Sequence, residues 1–384
     1  MVDCEFDKVI DRRNTGSLKW DKYKDRDVIA MWVADMEFQA PLAVREALRK
    51  HIEHGIFGYA AARDELYETI IAKLKKDYGW DIERRWIVWL PGLVPALSVA
   101  CRCVGQDGDE VATFVPVYPP FLSAPRLARK ELKSIPLSCK DNYYTFDIEK
   151  FEEAISPRTR LLLLCNPHNP VGRVYSEEEL RTIADVCLRN NIIICSDEIH
   201  CELIISDKKH VPTATLGKQV ADNTITLMSP GKTYNLAGLN CGFAIIPNKS
   251  IREKFLTAKE GIVPPVNAFA YTACLAAYRD CEDWRKSLIE YLRQNKQLVY
   301  NTVNNKMSGL SMGGVEATYL AWIDTRKLNV PDSVSFFEQA GVGLSDGREF
   351  GSNGFVRLNF GCPREMLAEA LKRMKAAVIK HLGS

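Results

Sequence analysis

Short apolar runs recur through the middle of the chain, and segments rich in polar residues, glycine or proline separate them. Two runs, LLLLC and IIIC, contain no polar position, which is typical of strands that are buried on both faces. Between these two runs, Ser176 and Glu179 form a capping-box pattern that predicts the start of a helix. This alternation of strands and helices predicts an α/β fold with a mainly parallel sheet. The apolar runs lie at residues 86–90, 110–115, 161–165, 192–195, 224–228 and 241–246.

The pattern changes beyond about residue 280. A long amphipathic helix is predicted from Glu282 into the 300s, alternating positions follow at 317–324 and 355–360, and a last helix begins at Pro363. This order is typical of a smaller α+β domain. Because the polar loops near the N-terminus do not suit a parallel sheet, we expect that segment to pack with the smaller domain. The expected parts are the N-terminal segment 1–45, a large domain 46–280 and a small C-terminal domain 281–384.

Composition and charge exclude several classes of protein. The 384 residues have a formal net charge of +2 and no long basic run, so neither nucleic acid nor an anionic membrane is the expected partner. The start of the chain lacks the apolar core of a secretory signal, and the apolar stretch at 86–101 is too short and too interrupted to span a membrane. We therefore expect a cytoplasmic protein. The 12 cysteines lack zinc-site spacing, so we expect reduced thiols and no metal.

Candidate functional residues come directly after the predicted strands. The glycine turn at 92–94, Tyr118, Asn169, Asp197 and Lys232 each follow a different apolar run. Because the carboxyl ends of the strands form the ligand crevice of an open α/β sheet, we expect these residues to lie together. A pyridine-aldehyde cofactor needs a lysine to form an imine and a carboxylate to keep the ring nitrogen protonated. It also needs a donor for the ring hydroxyl, a stacking aromatic side chain and a helix N-terminus for its phosphate.

Each of these residues has a simpler explanation when it is taken alone. Tyr118 precedes two prolines and could be a packed loop aromatic, while Asn169 precedes a proline in a common turn pair. Asp197 could cap the next element, and a single lysine in a loop is usually a surface residue. Arg357 could form a surface ion pair, and we expect His200 to be structural or to support a neighbour rather than to carry protons. The set as a whole favours the cofactor site.

Three motifs strengthen this interpretation. NPHNPVGR (166–173), SDEIH (196–200) and SPGKTYNLAG (229–238), in that order, resemble motifs of fold-type I pyridoxal phosphate (PLP) enzymes of the aminotransferase class I/II family. WVADMEF, GLVPAL and KTYNLAGL resemble more narrowly the MalY/PatB-type C–S β-lyases, the cystathionine β-lyase and cystalysin group. The resemblance runs from about residue 15 to the C-terminal helix. It implies an aspartate aminotransferase-like PLP domain with a seven-stranded sheet.

The resemblance implies a role for each matching residue around the cofactor ring. Lys232 is similar to the Schiff-base lysine, which also moves the substrate α-proton. Asp197 is similar to the partner of the pyridinium nitrogen. Asn169 resembles the ligand of the ring oxygen, and Tyr118 resembles the aromatic residue that stacks on the ring.

Further roles concern the phosphate and the substrate. Tyr59 resembles the tyrosine that reaches the phosphate of the neighbouring subunit's cofactor and the substrate beside it, which implies a homodimer with shared active sites. Arg357 resembles the arginine that binds the α-carboxylate of an amino-acid substrate through two parallel hydrogen bonds. The phosphate ligands that the resemblance implies are Ser229 and the turn at Gly92, Leu93 and Val94.

Two departures from the family pattern bear on the reaction. Asn240 stands where many aminotransferases have an arginine, which the C–S lyase branch generally lacks, and Pro119 stands where some lyases have a second tyrosine. We expect a PLP-dependent C–S β-lyase that cleaves cystathionine or related cysteine S-conjugates to a thiol, pyruvate and ammonia. The alternatives are a PLP-dependent aminotransferase, whose first steps are the same, and a PLP-containing regulatory protein.

Overall fold

The secondary structure follows the hydrophobic pattern along most of the chain. The computed structural model describes residues 5–383, so the outermost ends of the expected segments 1–45 and 281–384 lie outside the described residues. In chain order, strands β1 to β15 are Ile29–Ala30, Ile87–Leu90, Glu110–Val115, Glu131–Pro136, Ser138–Lys140, Tyr143–Thr145, Thr159–Cys165, Ile193–Asp197, Thr224–Met228, Gly242–Ile245, Ser311–Met312, Leu320–Asp324, Val342–Gly343, Ser345–Asp346 and Phe355–Asn359. Helices α1 to α13 are Leu18–Asp21, Leu42–His54, Asp64–Tyr78, Leu93–Cys103, Pro119–Leu127, Ile148–Ala154, Glu177–Arg189, Lys218–Asp222, Lys249–Lys259, Ala268–Asp280, Glu282–Lys306, Ser333–Gln339 and Arg364–Leu382.

A seven-stranded sheet forms the centre of the molecule, with the strand order β2-β10-β9-β8-β7-β3-β4. Strand β10 runs antiparallel to both of its neighbours, and the other pairs are parallel. In β7, Leu161 to Leu164 have no exposed surface, as expected for a strand with helices on both faces. The prediction of an α/β fold with a mainly parallel, seven-stranded sheet is confirmed.

The apolar runs did not predict strand β4. Its sequence, ELKSIP, contains polar residues because β4 lies at the edge of the sheet and pairs only with β3. Within it, Ile135 is buried, while Glu131 and Ser134 are exposed. A strand that is covered on one side alone produces no continuous apolar run, so periodicity cannot distinguish it from a loop.

The capping box at the start of α7 is present. Ser176 Oγ accepts a hydrogen bond from the Glu179 amide at 3.1 Å, and Glu179 Oε2 accepts one from the Ser176 amide at 2.8 Å. The helix then places Leu180 and Ile183 in the core on one face of the sheet, together with Leu162 of β7 and Ile194 of β8. The local sequence therefore determines where this crossover helix begins, as predicted.

A second, four-stranded antiparallel sheet has the order β11-β12-β15-β14 and packs against α11 and α13. The N-terminal segment joins it, because β1 pairs in parallel with β13 and Met31 and Met36 share a core with Val356 and Leu358. The expected domain boundaries at residues 45 and 280 stay predictions.

Some classes of site and segment are not found between residues 5 and 383. None of the helices there combines the length and apolarity that a membrane crossing needs. Over the same range, no group of three or more His, Cys, Asp or Glu residues is placed to hold a metal ion. The cysteines of this range are free thiols, and most of them are buried.

Candidate active site

A cavity of about 320 Å³ opens at the carboxyl ends of the parallel strands. Its wall combines the exits of several strands of the seven-stranded sheet with the first residues of α4 and α5. Ala34, from the N-terminal segment, closes one side. The predicted site residues that line the cavity are Gly92, Leu93, Val94, Tyr118, Asn169, Asp197, Ser229 and Lys232.

Lys232 lies in the turn after β9, and its side chain enters the cavity. Nζ donates a hydrogen bond to the carbonyl oxygen of Ala34 at 2.6 Å. Burial, and secondly the positive charge of Arg357, lower the pKa of Lys232 to about 8. A larger fraction of unprotonated amine is therefore present near neutral pH, which makes this lysine a nucleophile.

Asp197 is the last residue of β8 and is 5% exposed. Burial raises its pKa to about 7, against the opposing effect of a hydrogen bond from the Ile199 amide to Oδ1 at 3.1 Å. The carboxyl group thus does bond to the turn that follows it, as the capping explanation requires. It also lines the cavity, where a cationic ligand atom would stabilise its ionised form.

A backbone hydrogen bond joins Tyr118 to Asn169: the Tyr118 amide donates to the Asn169 carbonyl oxygen at 3.1 Å. Tyr118 is the N-cap residue of α5, and burial raises the pKa of its hydroxyl. The side-chain oxygen of Asn169 accepts from Arg357 Nη1 at 3.1 Å. The Asn169 Nδ2 group has no hydrogen-bond partner among the described residues, so it is available to a ligand.

The N-terminus of α4 forms another part of the cavity wall. Gly92 precedes this helix with a φ of 130°, a backbone conformation that side chains disfavour. The free amides at a helix N-terminus suit an anion. Nearby, Ser229 Oγ donates to the Cys241 carbonyl oxygen at 2.6 Å and accepts from the Gly231 amide at 3.0 Å.

Arg357, in β15, is 4% exposed and lies directly behind Asn169. Nη2 donates to the Trp32 carbonyl oxygen at 2.9 Å, and Nε has no partner in the described part of the chain. Burial lowers the pKa of Arg357 to about 10, so the guanidinium stays charged near neutral pH. No carboxylate within residues 5–383 forms an ion pair with it, which excludes a surface ion pair. A buried cation of this kind requires an anionic partner.

The backbone of residues 32–35 is part of the site, although no candidate residue of the sequence pattern lies there. The Ala34 carbonyl oxygen accepts from Tyr319 Oη at 3.0 Å as well as from Lys232. Asn359 Nδ2 donates to the carbonyl oxygens of Val33 and Asp35, each at 2.6 Å. Backbone acceptors carry no side-chain signal, so only the WVADMEF motif could have pointed to this segment.

His200 also lines the cavity, where we had expected a structural or supporting histidine. It is buried, and its Nδ1 has no hydrogen-bond partner among the described residues. Burial, and secondly the charges of Lys232 and Arg357, lower the pKa of His200 to about 3. The imidazole is therefore neutral in this site and is a poor proton carrier near neutral pH.

Two predicted residues are not among those that line the cavity. Arg357 contacts the lining residue Asn169 from behind, whereas Tyr59 lies away from the cavity of its own chain. Its side chain is fully exposed on the loop between α2 and α3. In the same loop, Ile56 and Phe57 also expose large apolar side chains.

The residues of the cavity fit a phosphorylated pyridine aldehyde. Lys232 supplies the amine, buried Asp197 supplies a carboxyl group for the ring nitrogen, and the N-terminus of α4 supplies amides for the phosphate. Among the described residues that line the cavity, Lys232 is the only cation, and Asn240, where the resemblance implies an arginine in many aminotransferases, is neutral. Neutral donors therefore dominate the phosphate end.

The model of the family "Aminotransferase class I and II" matches residues 26–374. The chain belongs to this family. Cystathionine beta-lyase PatB of Bacillus subtilis (strain 168) is 36% identical over 384 residues, which cover 97% of this chain and 99% of that protein.

Solved structures of this family superpose along nearly the whole chain. The crystal structure of OvoB has a TM-score of 0.95 and 42% sequence identity, and it covers 97% of this chain and 98% of that one. Cystalysin from Treponema denticola, whose structure contains pyridoxal 5'-phosphate, has a TM-score of 0.95 and 34% identity over 99% of each chain. The aminotransferase-family fold expected from the motifs is thus confirmed.

Proposed function

We propose that this protein is a PLP-dependent C–S β-lyase that cleaves cystathionine or a related cysteine S-conjugate to a thiol, pyruvate and ammonia. One observation carries the proposal: the nucleophilic amine of Lys232 lines the cavity, and the buried guanidinium of Arg357, which has no ion-pair partner among the described residues, lies behind the lining residue Asn169. An amino acid is a ligand that needs both groups. The relatives named as cystathionine β-lyases, at 36% and 27% identity, support this activity within the family.

Arg357 binds the α-carboxylate of the amino acid. Its buried guanidinium can form two parallel hydrogen bonds to a carboxylate, which fix both the position and the rotation of the α-carbon. Asn169 and the Trp32 carbonyl oxygen hold the guanidinium from two sides, at 3.1 and 2.9 Å. The substrate thus meets a cation whose orientation is already set.

PLP, when bound, withdraws the electron pair that remains after the α-proton leaves. Asp197 would hold a proton on the ring nitrogen, which would keep the ring electron-poor. Tyr118 would cover one face of the ring, and the free Nδ2 of Asn169 would donate to the ring oxygen. The amides at the N-terminus of α4, together with Ser229, would bind the phosphate.

Lys232 moves the proton. The amine of Lys232 would accept the α-proton of an amino acid bound in the cavity, and loss of the β-thiolate would follow. Lys232 has a pKa of about 8, low enough for the amine to accept a proton near neutral pH and to release it again. The Ala34 carbonyl oxygen, 2.6 Å from Nζ, holds the amine on this side of the cavity.

The functional unit that we propose is a cytoplasmic homodimer. Tyr59 and the exposed side chains of Ile56 and Phe57 form an apolar surface that a second copy would cover. In such a dimer, Tyr59 reaches the phosphate and the substrate in the partner's cavity rather than in its own. In each cavity, Ala34 of the N-terminal segment 1–45 closes one side, the domain 46–280 lines the rest, and the domain 281–384 contributes Arg357 behind Asn169.

The test is to incubate the PLP-loaded protein with cystathionine and no added keto acid, and to measure pyruvate, ammonia and free thiol. A lyase yields the three products in equal amounts over many turnovers. An aminotransferase stops after one turnover until a keto acid is added. A regulatory protein binds PLP and gives neither result.

A further inference from the structure

Directly behind Asp197, on the side away from the cavity, lies a carboxylate that the reaction does not use. Glu198 is the next residue in the chain, and its side chain has no exposed surface. Its amide donates to the Leu227 carbonyl oxygen at 2.9 Å, which continues the pairing of β8 with β9. In extended chain, successive side chains point to opposite faces, so Asp197 faces the cavity while Glu198 faces the interior.

Three donors surround the Glu198 carboxylate. Ser196 Oγ and the Thr213 amide donate to Oε1 at 2.8 and 3.0 Å, and His210 Nε2 lies 2.8 Å from Oε2. Ser196 and Glu198 flank Asp197 in the chain, and their side chains form a hydrogen bond with each other. The network therefore fixes the backbone on both sides of the residue between them.

Among the described residues, the His210 side chain forms a hydrogen bond with the Glu198 carboxylate alone. Its side chain is fully buried in the loop before Thr213, and Nδ1 has no hydrogen-bond partner in the described part of the chain. In the tautomer with its proton on Nε2, His210 donates its one N–H group to Glu198, and no N–H group of the ring lacks an acceptor. The ring packs edge-on against Tyr78 at 5.6 Å, so it fills space as well.

Few other ionisable groups face this pair. Lys73 and Glu202 form an ion pair at 2.8 Å beside Tyr78. The titratable groups that face Asp197 from other elements are Lys232 from the cavity side, and Tyr118 and Cys165 from neighbouring elements, while Cys195 precedes it in β8 itself. The titratable groups around the Glu198–His210 pair itself are Asp197, Cys201 and Tyr78.

We propose that His210 is a positioning residue that acts through Glu198 to aim Asp197 at the cofactor and to limit the repulsion between the two adjacent carboxylates. The proposal rests on the proposed function, in which Asp197 pairs with the ring nitrogen. Loss of the His210 donor leaves a buried carboxylate short of a partner beside Asp197. The less compensated negative charge then disfavours the ionised form of Asp197.

A matched pair of substitutions separates the hydrogen bond from the packing. In His210→Gln the amide nitrogen occupies about the place of Nε2 and can still donate to Glu198. In His210→Asn the amide lies near the place of Nδ1, where the described chain offers no partner. Both variants remove the ring that packs on Tyr78, so a purely structural role affects them alike.

The measurements on the PLP-loaded variants are the pH dependence of the visible cofactor absorption, kcat and KM over pH, and thermal unfolding. We expect His210→Gln to keep the acidic limb of the wild-type dependence of kcat on pH. We expect His210→Asn to shift that limb, and the spectral transition, to higher pH, and to lower kcat about tenfold to a hundredfold with KM within about twofold. In the Glu198→Gln background, we expect His210→Asn to shift neither the acidic limb nor the spectral transition.

The proposal is overturned if His210→Asn has the wild-type spectral transition and pH profile, or if its effect persists in the Glu198→Gln background. If His210→Asn does not fold, the comparison of Glu198→Gln with Glu198→Gln/His210→Asn decides, since any pH shift between those two contradicts the proposal and identical profiles support it. A wild-type protein without lyase activity refutes the proposed function instead, and the spectral titration still tests the role of His210.

Discussion

Arg357 Nη1 and Asn169 Oδ1 are 3.1 Å apart and join the four-stranded sheet to the exit of a strand in the seven-stranded sheet. The arginine is proposed to hold the substrate, and the asparagine to hold the cofactor. This hydrogen bond therefore fixes the distance between the two ligands. It also orients Asn169 so that its Nδ2 group, rather than its oxygen, remains free.

Arg357→Lys keeps a positive charge but loses the planar pair of donors. We expect weaker substrate binding by about 2 kcal/mol, or roughly a thirtyfold rise in KM, with the PLP content unchanged. The measurement is the steady-state kinetics on cystathionine and on its analogue without the α-carboxylate. An equal loss on both compounds would show that Arg357 is structural and that the carboxylate binds elsewhere.

Lys232→Ala removes both the attachment point of the cofactor and the proposed base. We expect β-elimination to fall by at least about 10²- to 10⁴-fold, together with loss of the visible absorption of the attached cofactor. Lys232→Arg is the matched control, because it restores a cation next to the Ala34 carbonyl oxygen without a nucleophilic amine. Recovery of turnover in the arginine variant would refute the assignment.

Asp197→Asn replaces the carboxylate with a neutral amide of the same shape. PLP should still bind, but the ring nitrogen loses its proton, and kcat should fall about 10²- to 10³-fold. Asp197→Glu keeps the charge and should retain more activity than the asparagine variant. The comparison requires equal PLP content, which absorbance after release in alkali measures. Equal rates for wild type and Asp197→Asn would contradict the role.

The rate at which the apo protein captures PLP should rise with pH and reach half its maximum near pH 8, the pKa of Lys232. The sign follows from the chemistry, since only the unprotonated amine attacks the aldehyde and burial lowers the pKa of this lysine. Arg357→Gln removes the second cause of the lowered pKa, so its midpoint should move to higher pH. Stopped-flow absorbance measures both profiles, and a midpoint near 10.5 in the wild type would show an ordinary lysine.

Tyr59 lies outside the cavity of its own chain, so its proposed role requires a second subunit. Separately, Tyr59→Phe and Lys232→Ala should each impair activity. Mixed dimers of the two variants should regain activity, because one of their two cavities combines both wild-type residues. Subunits with different affinity tags allow the mixed dimer to be purified and assayed. If purified mixed dimers are as inactive as Lys232→Ala alone, the active sites are not shared.

The sequence predicted the strands and the cavity-lining residues for a physical reason. A buried parallel strand such as β7 is a continuous apolar run, and the first polar residue after it, such as Asn169, must lie at the edge of the sheet. Strand β4 was missed because only one of its sides is covered. Hydrophobicity alone thus predicts the buried strands of the sheet, but it does not predict the edge strand β4.

Other parts of the site have no local signal. The acceptor for Lys232 is the backbone oxygen of Ala34, which any residue would provide. The hydrogen bond between Glu198 and His210 joins a strand end to a loop, and nothing in the spacing of the two residues indicates a contact. The burial of Arg357 depends on Trp32, far away in sequence. Contacts between distant segments emerge only when the chain is folded.

The position of residues 29–35 has a consequence for the synthesis of the protein. Strand β1 leaves the ribosome early, yet its partner β13 and the arginine that rests on the Trp32 carbonyl oxygen are made more than three hundred residues later. The seven strands of the central sheet are all complete by residue 245. The nascent chain can therefore form the strand ends that line the proposed cofactor site before Arg357, the proposed ligand of the α-carboxylate, has been synthesised. The proposed selection of amino acids thus depends on contacts between residues 29–35 and residues 342–357, which form last.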